Sequence, residues 1–269
     1  MKRKMVLFIL NFVSFYLNAV DNTRISDIRS IGMGVNGVTQ SILYNPSLLA
    51  LQNKSNCHFN CFNRFEMKEL STFQGGIDFV NKFLPSAIDI FTFGYDAYRE
   101  NMFRLSVAKK LGEQWFSGIA VQYRWIQTEL FEDIPQFLST DIGILYNPVE
   151  NMFIGLLIMN FPSFYITNGE TDNKLFNSYS LQTGFEWKII NSLLISGTVE
   201  RSECCQLTGS AGVEYILFKD FCFRTGLQFS PLLPTMGVGY QISHFIVNAA
   251  VVYNQSLGIS SGLGVSFTF

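Results

Sequence analysis

The chain has 269 residues and a formal net charge of −2, with 48% hydrophobic but only 15% charged residues. A soluble domain normally carries about 25% charged residues, so this composition argues against an ordinary soluble domain. The balanced charge also gives no basic face for nucleic acid. The 27 Phe, 11 Tyr and 21 Gly favour strands over helices.

Residues 1–19 predict an export signal. Lys2, Arg3 and Lys4 precede an apolar run at 5–17, and Leu-Asn-Ala at 17–19 is an acceptable cleavage site. A transmembrane anchor is the alternative, but about thirteen apolar residues are short for a span of about 20. We therefore predict a signal peptide at 1–19. An exported, apolar chain without a spanning helix is either a secreted β domain or a membrane barrel.

Residues 20–54 do not alternate between apolar and polar positions, and they contain a compact motif. A glycine cluster can form a phosphate loop, but here no strand precedes it and no Lys-Ser/Thr follows. Glycine instead allows close backbone packing, and Asn-Pro forces a turn. We expect 20–54 to fold as a hatch inside a barrel formed by 55–269. The hatch motif comprises Gly32, Gly34, Asn45, Pro46 and Ser47.

From residue 56 onward, apolar residues alternate with small or polar ones. In the last segment Ile259, Leu263, Val265, Phe267 and Phe269 share one face, and Gly, Ser and Thr occupy the other. A soluble sandwich would expose long charged residues on its outer face, whereas a barrel alternates lipid-facing apolar with lumen-facing residues. The pattern predicts an all-β fold, a transmembrane antiparallel up-and-down β-barrel of about 14 strands.

The strand boundaries follow from the same alternation. Connections after even-numbered strands should be short turns and those after odd-numbered strands longer loops, if the N-terminus is periplasmic. The region 56–100 alternates least regularly. The predicted strands are 56–66, 70–81, 86–96, 101–111, 114–128, 137–146, 151–161, 176–188, 192–201, 206–217, 220–230, 234–242, 245–253 and 258–269.

Two groups of side chains are predicted to face the lumen. An apolar patch of Phe153, Leu157 and Met159 lies in a segment whose two faces are both apolar, so it packs against an internal plug or binds an apolar ligand. A polar ladder either lines a wet pore or forms a charge-paired network that pins the hatch. Its members are Arg104, Arg124, Glu186, Glu200, Glu214 and Arg224.

The sequence gives little support for a catalytic site or a metal site. An odd number of cysteines, two of them adjacent, makes a poor disulfide framework. Metal sites need Cys and His together at suitable spacing, and both His58 and His244 fall at turns or strand ends in the predicted arrangement. Neither has a serine neighbour that would make a nucleophile–base pair. We predict no enzyme activity, no cofactor and no metal.

Several short motifs resemble one family. The run Arg-Ser-Ile-Gly-Met-Gly at 29–34, Tyr-Asn-Pro-Ser at 44–47 and Ser-Thr-Asp-Ile-Gly-Ile-Leu-Tyr at 139–146 look like FadL-type barrels and the related PorV/PorQ proteins of Bacteroidetes. The C-terminal Phe269 resembles the terminal aromatic read by barrel-assembly machinery. This resemblance implies a bacterial outer-membrane barrel surrounded by lipid.

The resemblance implies one of two functions. FadL-type proteins imply a hatch-gated channel for small hydrophobic molecules, with such a molecule as ligand. PorV/PorQ proteins imply a scaffold or shuttle of type IX secretion, with secretion-system proteins as partners. The visible hatch and the apolar patch favour the channel.

Overall fold

The computed structural model describes residues 27–129, 134–166, 178–202 and 207–269. The predicted signal peptide at 1–19 lies outside these ranges. Two short helices, α1 (Ile28–Ile31) and the 3-10 helix η1 (Pro46–Leu51), precede the sheet, and a second 3-10 helix, η2 (Lys68–Leu70), follows the first strand. Within the described ranges, no helix is long and apolar enough to cross a membrane.

The rest of the described chain is antiparallel sheet. Its strands are β1 (Asn56–Asn63), β2 (Ser71–Phe79), β3 (Ser86–Tyr95), β4 (Tyr98–Lys110), β5 (Trp115–Thr128), β6 (Gln136–Val149), β7 (Met152–Met159), β8 (Ser163–Tyr165), β9 (Ser180–Ile190), β10 (Leu193–Ser202), β11 (Thr208–Phe218), β12 (Phe221–Phe229), β13 (Leu233–Ile242), β14 (Phe245–Asn254) and β15 (Gly258–Thr268).

The sheet closes on itself. Each strand pairs with its neighbour along the chain, and β15 returns to β1, with Asn56 opposite Thr268 and Asn63 opposite Ser261. The short β8 continues the line of β7, because both pair with β6. Counting these two as one interrupted strand, the described residues form a closed barrel of 14 strands, which confirms the predicted fold class.

The barrel has two unlike ends. At the terminal end, where β1 begins and β15 finishes, most connections are tight, such as 150–151, 191–192, 219–220 and 243–244. At the opposite, loop end the connections are longer, up to 166–179. The prediction was wrong for β3 and β4: their loop-end turn is only 96–97, and the longer connection at 80–85 lies at the terminal end. Gly94, with a φ of +105°, makes the tight turn possible.

The two faces of the wall differ as the alternation predicted. Ile259, Leu263 and Val265 point outward and are 44%, 62% and 42% exposed, whereas Ser260 points inward and is buried. Trp115 stacks on Tyr146 of the neighbouring strand, with ring centroids 4.3 Å apart, near the terminal end. An apolar outer belt with aromatic side chains toward its edge, on a sheet that closes on itself, suits a bilayer.

Candidate functional site

Residues 27–54, here called the internal segment, lie inside the barrel. Helix α1 begins at the Asp27 cap, whose Oδ1 accepts a hydrogen bond of 2.8 Å from the Ser30 backbone N–H. Its Ile28 and Ile31 are buried against the lumen side of the wall with Phe62 and Val252. The helix has a single turn, so this packing and the cap position it rather than helix propensity.

The backbone atoms of the two predicted hatch glycines lie against the barrel wall. A Cβ at Gly32 would stand 3.0 Å from the Gly237 Cα of β13, and Gly34 adopts a φ of +83° beside Ala211 and Leu227. The Thr235 hydroxyl accepts from the Gly34 N–H at 2.9 Å and donates to the Gly32 carbonyl at 3.1 Å. Glycine is needed here because any side chain would occupy the space that the wall fills.

Asn45, Pro46 and Ser47 form the turn that starts η1. The Asn45 Oδ1 accepts from the Ser47 N–H at 3.1 Å and from its hydroxyl at 2.6 Å, while Nδ2 donates to the Val38 carbonyl at 2.8 Å. Gly118 of β5 and Gly143 of β6 lie directly under this turn, where a Cβ would overlap Pro46 and Asn45. The small lumen face therefore accommodates the internal segment.

The predicted apolar patch faces inward and is covered by the internal segment. Leu157 and Met159 are 0% and 1% exposed and pack against Val38. Phe153 packs beside Leu48 of η1. In this conformation all three side chains serve as packing surface for the internal segment.

Part of the polar ladder forms a charged network around α1. Arg29 donates from Nε and Nη2 to the two carboxylate oxygens of Glu214, both at 2.9 Å, and Arg224 donates from Nε to the same carboxylate at 2.6 Å. Arg224 also donates to Asn248 of β14 at 2.8 Å. Burial alone would lower the pKa of Arg29, but the Glu214 carboxylate and its hydrogen bonds raise it by more. The pKa of Arg29 therefore lies above its ordinary value. The guanidinium therefore stays charged.

Arg104 binds the middle of the internal segment. Its side chain is 2% exposed, forms an ion pair with Asp141 at 3.3 Å, and donates to the backbone carbonyls of Leu43 and Tyr44, the latter at 3.1 Å. Arg124 is buried on β5, and Glu186 and Glu200 are half-buried on β9 and β10. Glu186 also interacts with Gln40 and Arg29 of the internal segment.

A cluster that the sequence did not predict lies on β1 to β3. His58 Nε2 is 3.0 Å from Asp89 Oδ1, and His58 Nδ1 is 3.8 Å from Asp78 Oδ2, which accepts from Gln52 of the internal segment at 3.4 Å. The placement of His58 at a turn or strand end was therefore wrong: it is buried within β1. The space for its contact with Asp89 comes from Gly76, where a Cβ would stand 2.7 Å from the imidazole.

The carboxylates lie on opposite edges of the imidazole, so the three groups do not converge on one point. Across the described ranges, no group of three or more His, Cys, Asp or Glu is placed to hold a metal ion. Among the cysteines in those ranges, Cys57, Cys61 and Cys222 are free thiols; Cys204 and Cys205 lie outside them.

Two cavities lie on opposite sides of α1. The terminal cavity, about 610 Å³, is lined by Asp27 and Arg29 of the internal segment and by charged or polar wall residues including His58, Glu214 and Arg224. The loop cavity, about 160 Å³, is lined by Ile31 and Val35 of the segment and by residues at the other ends of β1 and β12 to β15. The same strands thus border both cavities, and α1 separates them.

No family model and no curated protein matches the chain. Several solved structures do. The Pseudomonas putida toluene transporter TodX superposes with a TM-score of 0.67 at 10% identity, over 93% of this chain and 99% of that one. A Pseudomonas aeruginosa FadL homologue gives 0.59 at 9% identity, over 90% and 97%. The Acinetobacter baumannii outer membrane protein Omp33 gives 0.52 at 9%, over 82% and 100%. The chain therefore has the fold of FadL-type barrels.

Proposed function

We propose that this protein is a bacterial outer-membrane channel for small hydrophobic molecules, and that helix α1 is its gate. The observation that carries the proposal is the pair of cavities on opposite faces of α1, bordered by the same strands. A displacement of one helical turn would join them into a path along β12 to β15 and β1. The mainly apolar lining of the loop cavity sets the kind of molecule that enters.

The internal segment divides into a fixed part and a movable part. Helix η1 packs on β4, β5 and β6 through an extended apolar contact that includes Leu48, Leu49 and Leu145. Helix α1 is shorter and borders a cavity on each side, and it is held by the apolar cluster of Ile28 and Ile31 and by the Arg29–Glu214 pair. A segment beside cavities has room to move that the closely packed η1 lacks, so we propose that the α1 part is the one that moves.

The wider setting of the proposal combines sequence and fold. The predicted export signal, the apolar outer belt and the similarity to TodX and the FadL homologue support a place in the outer membrane with lipid as the surrounding partner. A channel of this kind needs no catalytic residue, cofactor or metal. The type IX secretion alternative stays a prediction, because no surface in the described ranges favours it and TodX, the FadL homologue and Omp33 are not described as secretion proteins.

The route is tested by narrowing the loop cavity. Leu233 lines it, whereas its neighbour Leu232 is 64% exposed in the preceding turn. Expression of the wild-type protein in a Gram-negative host should raise the initial rate of radiolabelled toluene uptake several-fold over the empty vector. Leu233→Trp should return the rate close to that of the vector, and the matched Leu232→Trp should leave it at the wild-type level.

Folding of each variant is checked by its heat-dependent mobility on SDS gels, which separates folded from unfolded barrels. Uptake that is the same for the vector and the wild type would contradict the channel function. Equal uptake by folded Leu233→Trp and the wild type would contradict the route through the loop cavity.

A further inference from the structure

The loop cavity has an apolar floor and a polar rim. Ile31, Phe62 and Val252 form the floor and are 2%, 7% and 9% exposed. The floor belongs to the apolar cluster that supports α1, so an occupant would touch the gate itself. The rim consists of Arg64, Gln228, Asn254 and Ser260.

Arg64 is held at the rim by aromatic and polar contacts. Its Cζ lies 5.5 Å from the ring centroid of Phe62 and 5.1 Å from that of Phe93, and Nη1 donates to the Thr72 hydroxyl at 2.7 Å. Such stacking over ring faces fixes a guanidinium with its positive charge in place. The planar group carries five N–H donors, and its geometry matches that of a carboxylate.

The size of the cavity limits what it holds. About 160 Å³ is close to the ~150 Å³ of an apolar protein cavity that binds benzene. One ring fits this space, whereas a long alkyl chain exceeds it. Ser260 and Asn254 of the rim already accept backbone N–H groups of the protein. A carboxylate on the ring would place a counter-charge beside Arg64, the charged residue of the rim, and an unsubstituted ring offers none.

We propose that the loop cavity is a binding site for single-ring aromatic carboxylates. The ring lies on Ile31, Phe62 and Val252, and the carboxylate accepts hydrogen bonds from Arg64. The inference rests on the channel function proposed above, since it names the class of molecule that the same route receives. It differs from a preference for plain hydrocarbons or for long-chain acids.

Binding can be measured with 4-fluorobenzoate by 19F NMR on the full-length protein in detergent micelles. We expect saturable binding to the wild type and at least a tenfold weaker affinity for Arg64→Gln. Arg64→Lys keeps the positive charge but not the planar guanidinium, so its affinity should lie between those of the wild type and Arg64→Gln. Arg99, an exposed cation at the same end that pairs with Asp96 outside the cavity, provides the control. Arg99→Gln should bind within twofold of the wild type.

Three results would overturn this inference: absence of saturable 4-fluorobenzoate binding, equal affinity of the folded Arg64→Gln and wild-type proteins, or tighter binding of 4-fluorotoluene than of 4-fluorobenzoate. Any of these, together with radiolabelled toluene uptake that is still blocked by Leu233→Trp, would leave the channel function in place and remove only the carboxylate site. Loss of both binding and uptake would instead remove the channel function.

Discussion

Arg29 of α1 and Glu214 of β11 form a two-point ion pair, each of two guanidinium nitrogens lying 2.9 Å from a different carboxylate oxygen. Because Glu214 also binds Arg224 of β12, the wall supplies a prearranged acceptor and α1 supplies the single partner that can leave. In the channel that we propose, this pair is a latch between α1 and the wall.

Opening the latch should raise conductance. In Arg29→Gln the carboxylate of Glu214 keeps Arg224 as its partner, so the wall stays intact while α1 loses its strongest polar contact. We expect more frequent or larger opening events than in the wild type in planar bilayers. Lys219→Gln removes a positive charge from the same cavity without contacting α1, and it should behave like the wild type. Identical traces for Arg29→Gln and the wild type would show that Arg29 is not a latch.

The carboxylate should matter more than the arginine for stability. Glu214→Gln removes the shared counter-charge of buried Arg224 and half-buried Arg29, and removing one partner of a buried pair costs about 3–5 kcal/mol. We expect this variant to convert to the unfolded gel band at a clearly lower temperature than Arg29→Gln. The reverse order would contradict the central position of Glu214 in the network.

Gly143 should tolerate no side chain. In Gly143→Val the added atoms meet the Asn45 side chain, which holds the turn at η1, and overpacking typically costs about 1–3 kcal/mol. The temperature of unfolding, measured by gel mobility, should fall. Gly112 has no atom within 4 Å of an added Cβ, so Gly112→Val is the matched control. Equal stability of the two variants would mean that the internal segment does not rest on this part of the wall.

Leu157 and Leu156 are neighbours on opposite faces of β7. Leu157 is fully buried against Val38, whereas Leu156 points outward and is 39% exposed. Leu157→Ala should cost about 2–5 kcal/mol through lost contacts and the cavity left behind, and Leu156→Ala should cost less. Urea unfolding in micelles, followed by tryptophan fluorescence, compares them. A larger loss in Leu156→Ala would reverse the assigned faces of β7.

We expect the buried His58 side chain to stabilise the fold. In His58→Leu the Asp89 carboxylate loses its partner at 3.0 Å and Asp78 loses the imidazole nitrogen at 3.8 Å, so two buried carboxylates lose these contacts. The unfolding temperature should drop by more than in His244→Leu, where the replaced side chain is exposed in the 243–244 turn. A His58→Leu protein as stable as the wild type would show that the cluster contributes nothing to the fold.

The sequence predicted the barrel because its outer and inner faces differ in kind in most strands from β4 onward. Ile259 and Val265 could be assigned to the outside, and Gly237 to the inside, without knowledge of any contact. The hatch motif was predicted for a similar local reason: glycine allows close backbone packing, and Asn-Pro at 45–46 forces a turn.

The His58 cluster could not be predicted, because its three members come from three strands whose register depends on turns at 64–70 and 80–85. Inward positions there are polar and the outward ones include Cys57 and Cys61, so the contrast between the faces is weak. Arg29 was not recognised either, although its partner Glu214 was, because its role depends on where the internal segment crosses the lumen. The cavities could not be predicted either, because they are spaces left between side chains of distant segments, and the alternation along one strand does not indicate them.

The pairing of β1 with β15 also constrains when the internal segment can enter the barrel. Residue 54 leads directly into β1, and the internal segment lies on glycines that belong to β5, β6, β11, β12 and β13. Once β15 has paired with β1, the wall is a continuous ring of hydrogen bonds. A folded segment cannot enter the lumen between two strands of this ring. Entry after closure is left only through an end of the barrel, so we expect the internal segment to be seated before β15 arrives and ring closure to enclose it.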